Sequence, residues 1–185
     1  MKGQGIDYGF VTLRPIEVVD AVTLIDIYDG KAGARFAFFE DELTLDRETA
    51  YISRMVESPS DLLWVVMVDG RIIGTVGLHE VDFHIGTARL GIMIWNSRFH
   101  GQGYGKKILY SLFRHAFEEL GLEKIYTTTL VTNERAQKLY EKFGFKTEGV
   151  LQGEYKTKAG RKDMIRQGLV IADWEPNKIL LEFRK

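Results

Sequence analysis

The chain of 185 residues contains no cysteine. That excludes disulfides, zinc–thiolate centres and any cysteine acyl-enzyme intermediate. Charge of one sign is also lacking. Lys and Arg total 25 against 26 Asp and Glu, so the formal net charge is −1. No global field draws nucleic acid, and none is expected as a partner. Long apolar runs are missing too. The longest, Leu62 to Val68, is far too short to cross a bilayer. The N-terminal stretch Met1 to Phe10 has no apolar segment of the secretory kind. A cytoplasmic protein without membrane attachment is the expectation.

What remains is ordinary globular material, 45% hydrophobic and 28% charged, enough for one domain with a real core. Periodicity predicts strands over Phe10–Arg14, Leu63–Val68, Arg71–Val81, Thr87–Trp95, Lys124–Val131, Phe145–Leu151 and Met164–Ile171. Asp69-Gly70 signals a type I′ hairpin turn. Helices are predicted over Glu17–Tyr28, Leu45–Glu57 and Lys107–Leu120, and from an N-cap at Asn133 to a stop at Gly144. Tyr155–Asp163 reads as a charged loop. The fold class is α/β, a single mixed central sheet of about seven strands flanked by about four helices. The order is β-α-α-β-β-β-α-β-α-β-β over residues 8–172, with a C-terminal tail at 173–185.

Glycine is concentrated at one junction. His100-Gly101-Gln102-Gly103-Tyr104-Gly105-Lys106 follows a predicted strand and opens a predicted helix. Such a turn lets backbone approach a ligand, and the helix start offers unpaired N–H groups suited to phosphate. A tight connection with nothing bound is the plain alternative. Walker-type and dinucleotide spacings both fail here, because the required glycines fall on His100, Lys106 or Ile108.

The stretch His100–Gly105 resembles the acyl-CoA loop of the GNAT superfamily of N-acetyltransferases, written Arg/Gln-x-x-Gly-x-Gly/Ala, with His100 in place of Arg or Gln. A second block, Asn133-Glu134-Arg135-Ala136 through Tyr140 to Gly144-Phe145, is similar to that family's Asn-x-x-Ala-x-x-x-Tyr-x-x-x-Gly-Phe element. The nearest flavour is the branch of ribosomal-protein N-terminal and spermidine acetyltransferases.

The resemblance implies an enzyme that moves acetyl from acetyl-CoA to a primary amine by direct attack, the amine being a polyamine or a peptide N-terminus. A CoA-binding sensor or scaffold without turnover is the alternative. It implies cofactor contacts from His100, Gly101, Gln102, Gly103, Tyr104, Gly105 and Lys106. It further implies backbone donors near Ile92, Met93 and Ile94, on a strand that splays from its neighbour. Asn133 would touch the pantetheine arm, and Tyr140 would protonate the departing thiolate; a helix cap and a core tyrosine are their structural alternatives.

An ammonium must lose its proton before attack. On a regular strand Glu80, Asp82 and His84 share one side and His79 the other. Glu80 lies where polyamine-acetylating members carry an acidic contact, and is the expected proton acceptor or cation anchor. Glu40, Asp41 and Glu42 would form an acidic substrate wall, or simply a solvated loop. No metal-ligand spacing is present. A homo-oligomer is compatible with the sequence.

Overall fold

The computed structural model describes residues 3–31 and 43–183. One eight-stranded sheet runs through them in the order β1-β2-β3-β4-β5-β6-β8-β7. The strands are β1 (Ile6–Asp7), β2 (Thr12–Pro15), β3 (Leu62–Val68), β4 (Arg71–Asp82), β5 (Thr87–Ile94), β6 (Lys124–Leu130), β7 (Lys146–Thr157) and β8 (Gly160–Val170). All pairs are antiparallel except β5 with β6. Among the described residues five α-helices cover the sheet: α1 (Asp20–Ile27), α2 (Leu45–Glu57), α3 (Tyr104–Arg114), α4 (Glu134–Glu141) and α5 (Pro176–Phe183). The mixed α/β class holds, with one more strand and one more helix than the sequence patterns suggest.

The sheet's two faces carry separate cores. Alternation sends Val66, Val76, Leu78, Ala88, Leu90 and Ile125 to one face. There they meet the apolar stripe of α3, whose Ile108, Leu109, Leu112 and Phe113 are fully buried. The opposite face gathers Val65, Met93 and Trp95 under Leu24 of α1 and Ile52 of α2.

The differences from expectation have local causes. At α1 the carboxylate of Asp20 takes the Glu17 N–H at 2.8 Å and the Arg14 guanidinium at 2.6 Å. Residues 17–19 are thereby held in tight turns, and the helix begins late. Its buried face is Asp20, Ala21 and Leu24, while Val18, Val19 and Val22 stay exposed. The long predicted helix after the glycine turn is α3 followed by a π-helical turn, His115–Glu119. The segment Tyr155–Asp163 is largely strand. Its charges occupy a two-stranded ribbon in which Tyr155, Lys156 and Thr157 pair with Lys162, Arg161 and Gly160. At Asp69-Gly70 both φ values are positive, 48° and 73°, as a type I′ turn requires.

The C-terminal tail joins the core. Phe183 of α5 packs 4.6 Å from Phe10 and 5.5 Å from Tyr110, ring centre to ring centre. Trp174 lies among Tyr110, Phe113, Phe117 and Phe143. Ile179 is 2% exposed. Truncating it leaves a cavity that the helix cannot close alone. Ile179→Ala should lower the unfolding free energy by about 2–4 kcal/mol in urea titrations, with the denaturant slope unchanged.

Candidate active site

Strands β5 and β6 run side by side for three residue pairs, Thr87–Lys124, Ala88–Ile125 and Arg89–Tyr126, and then separate. The ladder on the β4 side of β5 continues to Ile94. The Trp95 N–H donates to Ile73 O at 3.0 Å on that side. Strand alternation therefore turns the amides of Gly91 and Met93 toward β4, and those of Ile92 and Ile94 into the gap. Carbonyls agree with this parity. Leu90 O accepts from the Thr127 hydroxyl at 3.5 Å, and Ile94 O from the His100 imidazole Nε2 at 3.1 Å. The expected splay is present, but its donors are Ile92 and Ile94. Met93 places its side chain in the α1–α2 core and its amide against β4.

Below the gap lies the glycine turn. Gly101 and Gly103 both have φ of +81°, and a Cβ on either would meet nothing within 4 Å. Left-handed backbone open to solvent on its Cβ side is the form a phosphate cradle takes. Helix α3 starts with no side-chain cap and no acidic residue in its first turn. Its first internal bond is Lys106 N–H to Gly103 O at 3.1 Å, so the Tyr104 and Gly105 amides precede the ladder. Gly105 also serves packing, since a Cβ there would lie 3.3 Å from Leu139. Gln102 donates to Arg98 O at 2.5 Å and shapes the turn. Lys106 sits over the Phe183 ring at 5.4 Å, and Lys107 over Tyr104 at 5.6 Å. An open hollow lined by Val68, Asp69, Arg71, Arg98, Phe99 and Tyr104 flanks this end.

At the vertex of the gap sits Tyr140. It is 4% exposed, its hydroxyl is bonded to the Thr127 side chain, and burial pushes its pKa up to about 12. Thr129, two residues further along β6, has a buried hydroxyl with no partner among the described residues. Asn133 caps α4 by accepting from Ala136 N–H at 3.3 Å. Lys138 pairs with Glu134 on the helix surface at 3.2 Å.

Glu80 is placed differently from expectation. Strand β4 bulges between His79 and Asp82, and Glu80 takes a φ of +53°. The shared side expected for Glu80, Asp82 and His84 is lost in consequence. Asp82 instead caps the following turn, accepting from the His84 and Ile85 amides at 2.8 and 3.1 Å. Both oxygens of Glu80 are engaged, one by Arg89 at 2.9 Å and one by the Tyr126 hydroxyl at 2.6 Å. The Tyr126 bond and Arg89 hold its pKa below the ordinary carboxylate value. That makes it a weak proton acceptor with an exposed outer edge. Glu40, Asp41 and Glu42 lie outside the described residues.

Two groups escaped sequence reasoning. His79 and Asp61, 18 positions apart, meet at 2.8 Å. No motif spacing announces them, although Gly77 and Gly91 mark a place where something lies close on the sheet. Glu48 of α2 is 6% exposed, and burial lifts its pKa to about 7. Its position one turn before buried Ile52 was the available signal.

Glu48 generates a prediction. The folded state holds its proton up to about pH 7, whereas an unfolded glutamate releases it near its ordinary value of 4.5. Stability is therefore lost as pH rises between those values. Glu48→Gln should leave thermal stability nearly unchanged at pH 4.5. At pH 8 it should add on the order of 2–3 kcal/mol. Equal effects at both pH values in calorimetry would contradict the assignment.

The family model for the acetyltransferase (GNAT) domain matches residues 11–146. The chain is 27% identical over 176 residues to the Bacillus subtilis protein named "Putative ribosomal N-acetyltransferase YdaF", covering 91% of this chain and 95% of that one. It is 28% identical over 158 residues to spermidine N(1)-acetyltransferase of Escherichia coli K12, covering 84% and 83%. Spermidine N-acetyltransferase from Vibrio cholerae, solved with CoA and spermine, superposes with a TM-score of 0.76 at 23% identity, covering 89% of this chain and 97% of that one. The chain belongs to the GNAT family of acetyltransferases, for which acetyl-CoA is the acyl donor.

Proposed function

We propose that the protein acetylates a primary amine by direct attack on acetyl-CoA bound in the gap between β5 and β6. The separation of those strands after Arg89 and Tyr126 carries this reading. It leaves two aligned amides in an otherwise complete sheet, which is what an acyl thioester needs and a structural sheet does not. The turn of His100 to Lys106 would hold the pyrophosphate through its backbone, with Gly101 and Gly103 leaving room. Ile94 N–H would bind the pantetheine arm, and Ile92 N–H, nearer the vertex, the developing oxyanion. Asn133 would cap α4 beside that arm.

Tyr140 would face the leaving sulfur. With its pKa near 12 it is about 3.5 units above a free thiol. Complete proton transfer to the thiolate is uphill by roughly 5 kcal/mol. Its contribution is then a hydrogen bond to sulfur as charge develops, with solvent completing protonation.

The amine class is tested by a panel. Spermidine, spermine, peptides with free N-termini, amino acids and amino sugars are offered with acetyl-CoA, and free thiol is measured. Turnover with a polyamine makes the exposed edge of Glu80 the cation contact, and Glu80→Gln should then raise KM severalfold. Turnover with peptides alone removes that role. Acetyl-CoA binding without thiol release from any amine would make the protein a sensor instead.

Two variants test the donor site. Gly103→Ala meets no neighbouring atom but places a Cβ at positive φ, facing the expected phosphate. Acetyl-CoA affinity should fall about tenfold, or 1.4 kcal/mol, by calorimetric titration of a folded variant. Tyr140→Phe keeps the rings packed and removes the hydroxyl. It should lower kcat about 10- to 100-fold, roughly 1.4–2.7 kcal/mol, with no change in the pH profile below pH 10. A wild-type kcat where chemistry limits the rate would make Tyr140 a packing residue.

A further inference from the structure

His79 lies on the sheet face that α1 and α2 cover, opposite the face that carries α3 and the glycine turn. Its ring is spread over a cross-strand glycine pair, Gly77 and Gly91. A Cβ on Gly91 would come within 2.8 Å of its Nε2, and one on Gly77 within 3.1 Å. Two side chains are thus absent where the imidazole needs their space. Gly91 immediately precedes Ile92, whose amide opens into the gap.

The other ring nitrogen is fixed. Nδ1 is 2.8 Å from Asp61 Oδ1, while Asp61 Oδ2 accepts from the Ser58 hydroxyl at 2.5 Å. Asp61 also takes the Glu80 N–H, the amide that the bulge turns toward it. Burial pushes the Asp61 pKa up, but these bonds together hold it below the ordinary value. A carboxylate that stays ionised and accepts three bonds sets the tautomer opposite it: hydrogen on Nδ1, lone pair on Nε2. Nε2 makes no hydrogen bond among the described residues.

We infer that His79 is the base that takes the proton from the acceptor amine, with Asp61 as its positioning residue. The inference rests on the acetyl-transfer reading above. An ammonium arriving on this face gives one proton to Nε2, which frees the nitrogen lone pair. That nitrogen bonds to the thioester carbonyl carbon, the carbon–sulfur bond breaks, and the electron pair leaves on sulfur. The nitrogen then loses its second proton and the thiolate gains one. The products are the amide, the free thiol and one proton released through the imidazole.

The ring's surroundings suit this task. Burial lowers the His79 pKa from 6.5, Asp61 and Glu80 oppose that, and Arg89 across the strand pair adds to it. The ring is consequently neutral, and able to accept, at neutral pH. On α2 the half-buried Tyr51 interacts with Asp61 and Arg89, and with Glu48 one turn earlier. Glu80 cannot compete for the role, since its oxygens already hold Arg89 and Tyr126.

The test uses the full chain with whichever amine the panel identifies. His79→Gln should keep the wild-type acetyl-CoA affinity and lower kcat/KM for the amine at pH 7 by about 10²–10³-fold. The wild-type fall in kcat/KM below pH 6.5 should disappear in the variant. Imidazole added to His79→Ala should restore part of the rate, which a merely structural histidine would not permit. Asp61→Asn supplies an independent arm should His79→Gln fail to fold. Its side chain is 15% exposed, and the amide can pin the wrong tautomer, so most of the loss should recur. Wild-type kcat/KM and pH dependence in folded His79→Gln, or in Asp61→Asn, would overturn the inference alone. Failure of the wild type to release thiol with any amine would overturn the acetyl-transfer reading and this inference together.

Discussion

The proposed acyl-donor site depends on two parallel strands that stop pairing. A sheet interior does not normally give up its ladder, because a buried N–H or C=O without a partner costs about 1–3 kcal/mol. Between β5 and β6 the cost is offset by side chains that substitute for the missing strand. The Thr127 hydroxyl serves Leu90 O, and the His100 ring serves Ile94 O. At the far end, the Gln137 amide donates to Leu130 O and Val131 O at 3.1 and 2.9 Å. The carbonyls of Leu90, Ile94 and Leu130 are answered in this way, while the amides of Ile92 and Ile94 face the gap. A ligand that brings oxygens would meet those two donors.

This division explains the substitution at position 100. The family pattern has Arg or Gln there, and the resemblance implies a cofactor contact from this position. In the structure, the imidazole turns back from the glycine turn to a carbonyl of the gap. It links the glycine turn to the strand gap. Either a histidine or a longer amide can donate such a bond, so the departure is chemically small. The backbone conformation of Gly101 and Gly103 does not depend on it.

Legibility in the sequence followed the range of the interactions. Elements built on local periodicity, such as α2, β3, β5 and the Asp69-Gly70 hairpin, were readable within a residue or two. The glycine turn and the capped α4 were readable because turns and N-caps are local devices. The α1 face was misread because apolar Val18, Val19 and Val22 are exposed while charged Asp20 is buried on Arg14. Glu80 was misread for a different reason: strand alternation fails at a bulge, and the bulge is fixed from outside the strand. Ser60 O accepts the Val81 N–H at 2.8 Å, and Asp61 takes the Glu80 N–H. Long-range contacts of this kind leave no period in the sequence. The tail was opaque likewise, since its few apolar residues matter only against Phe10 and Tyr110.

The same bulge ties the two carboxylates of this region into one arrangement. If β4 ran on regularly, Glu80 would point away from His79 and its amide would not reach Asp61. The positive φ of Glu80 turns that amide onto Asp61 and sends the side chain across to Arg89 and Tyr126. A left-handed non-glycine residue costs on the order of 1 kcal/mol, and the bonds on either side of it hold the strain in place. One carboxylate is thereby neutralised by a cation at the last paired rung of β5 and β6. The other is kept ionised against the imidazole. On the acetyl-transfer reading, the face opposite the acyl donor then carries one unprotonated base rather than a field of negative charge. Such a surface suits removal of a single proton at a fixed point, and it leaves the outer edge of Glu80 to meet a second cation.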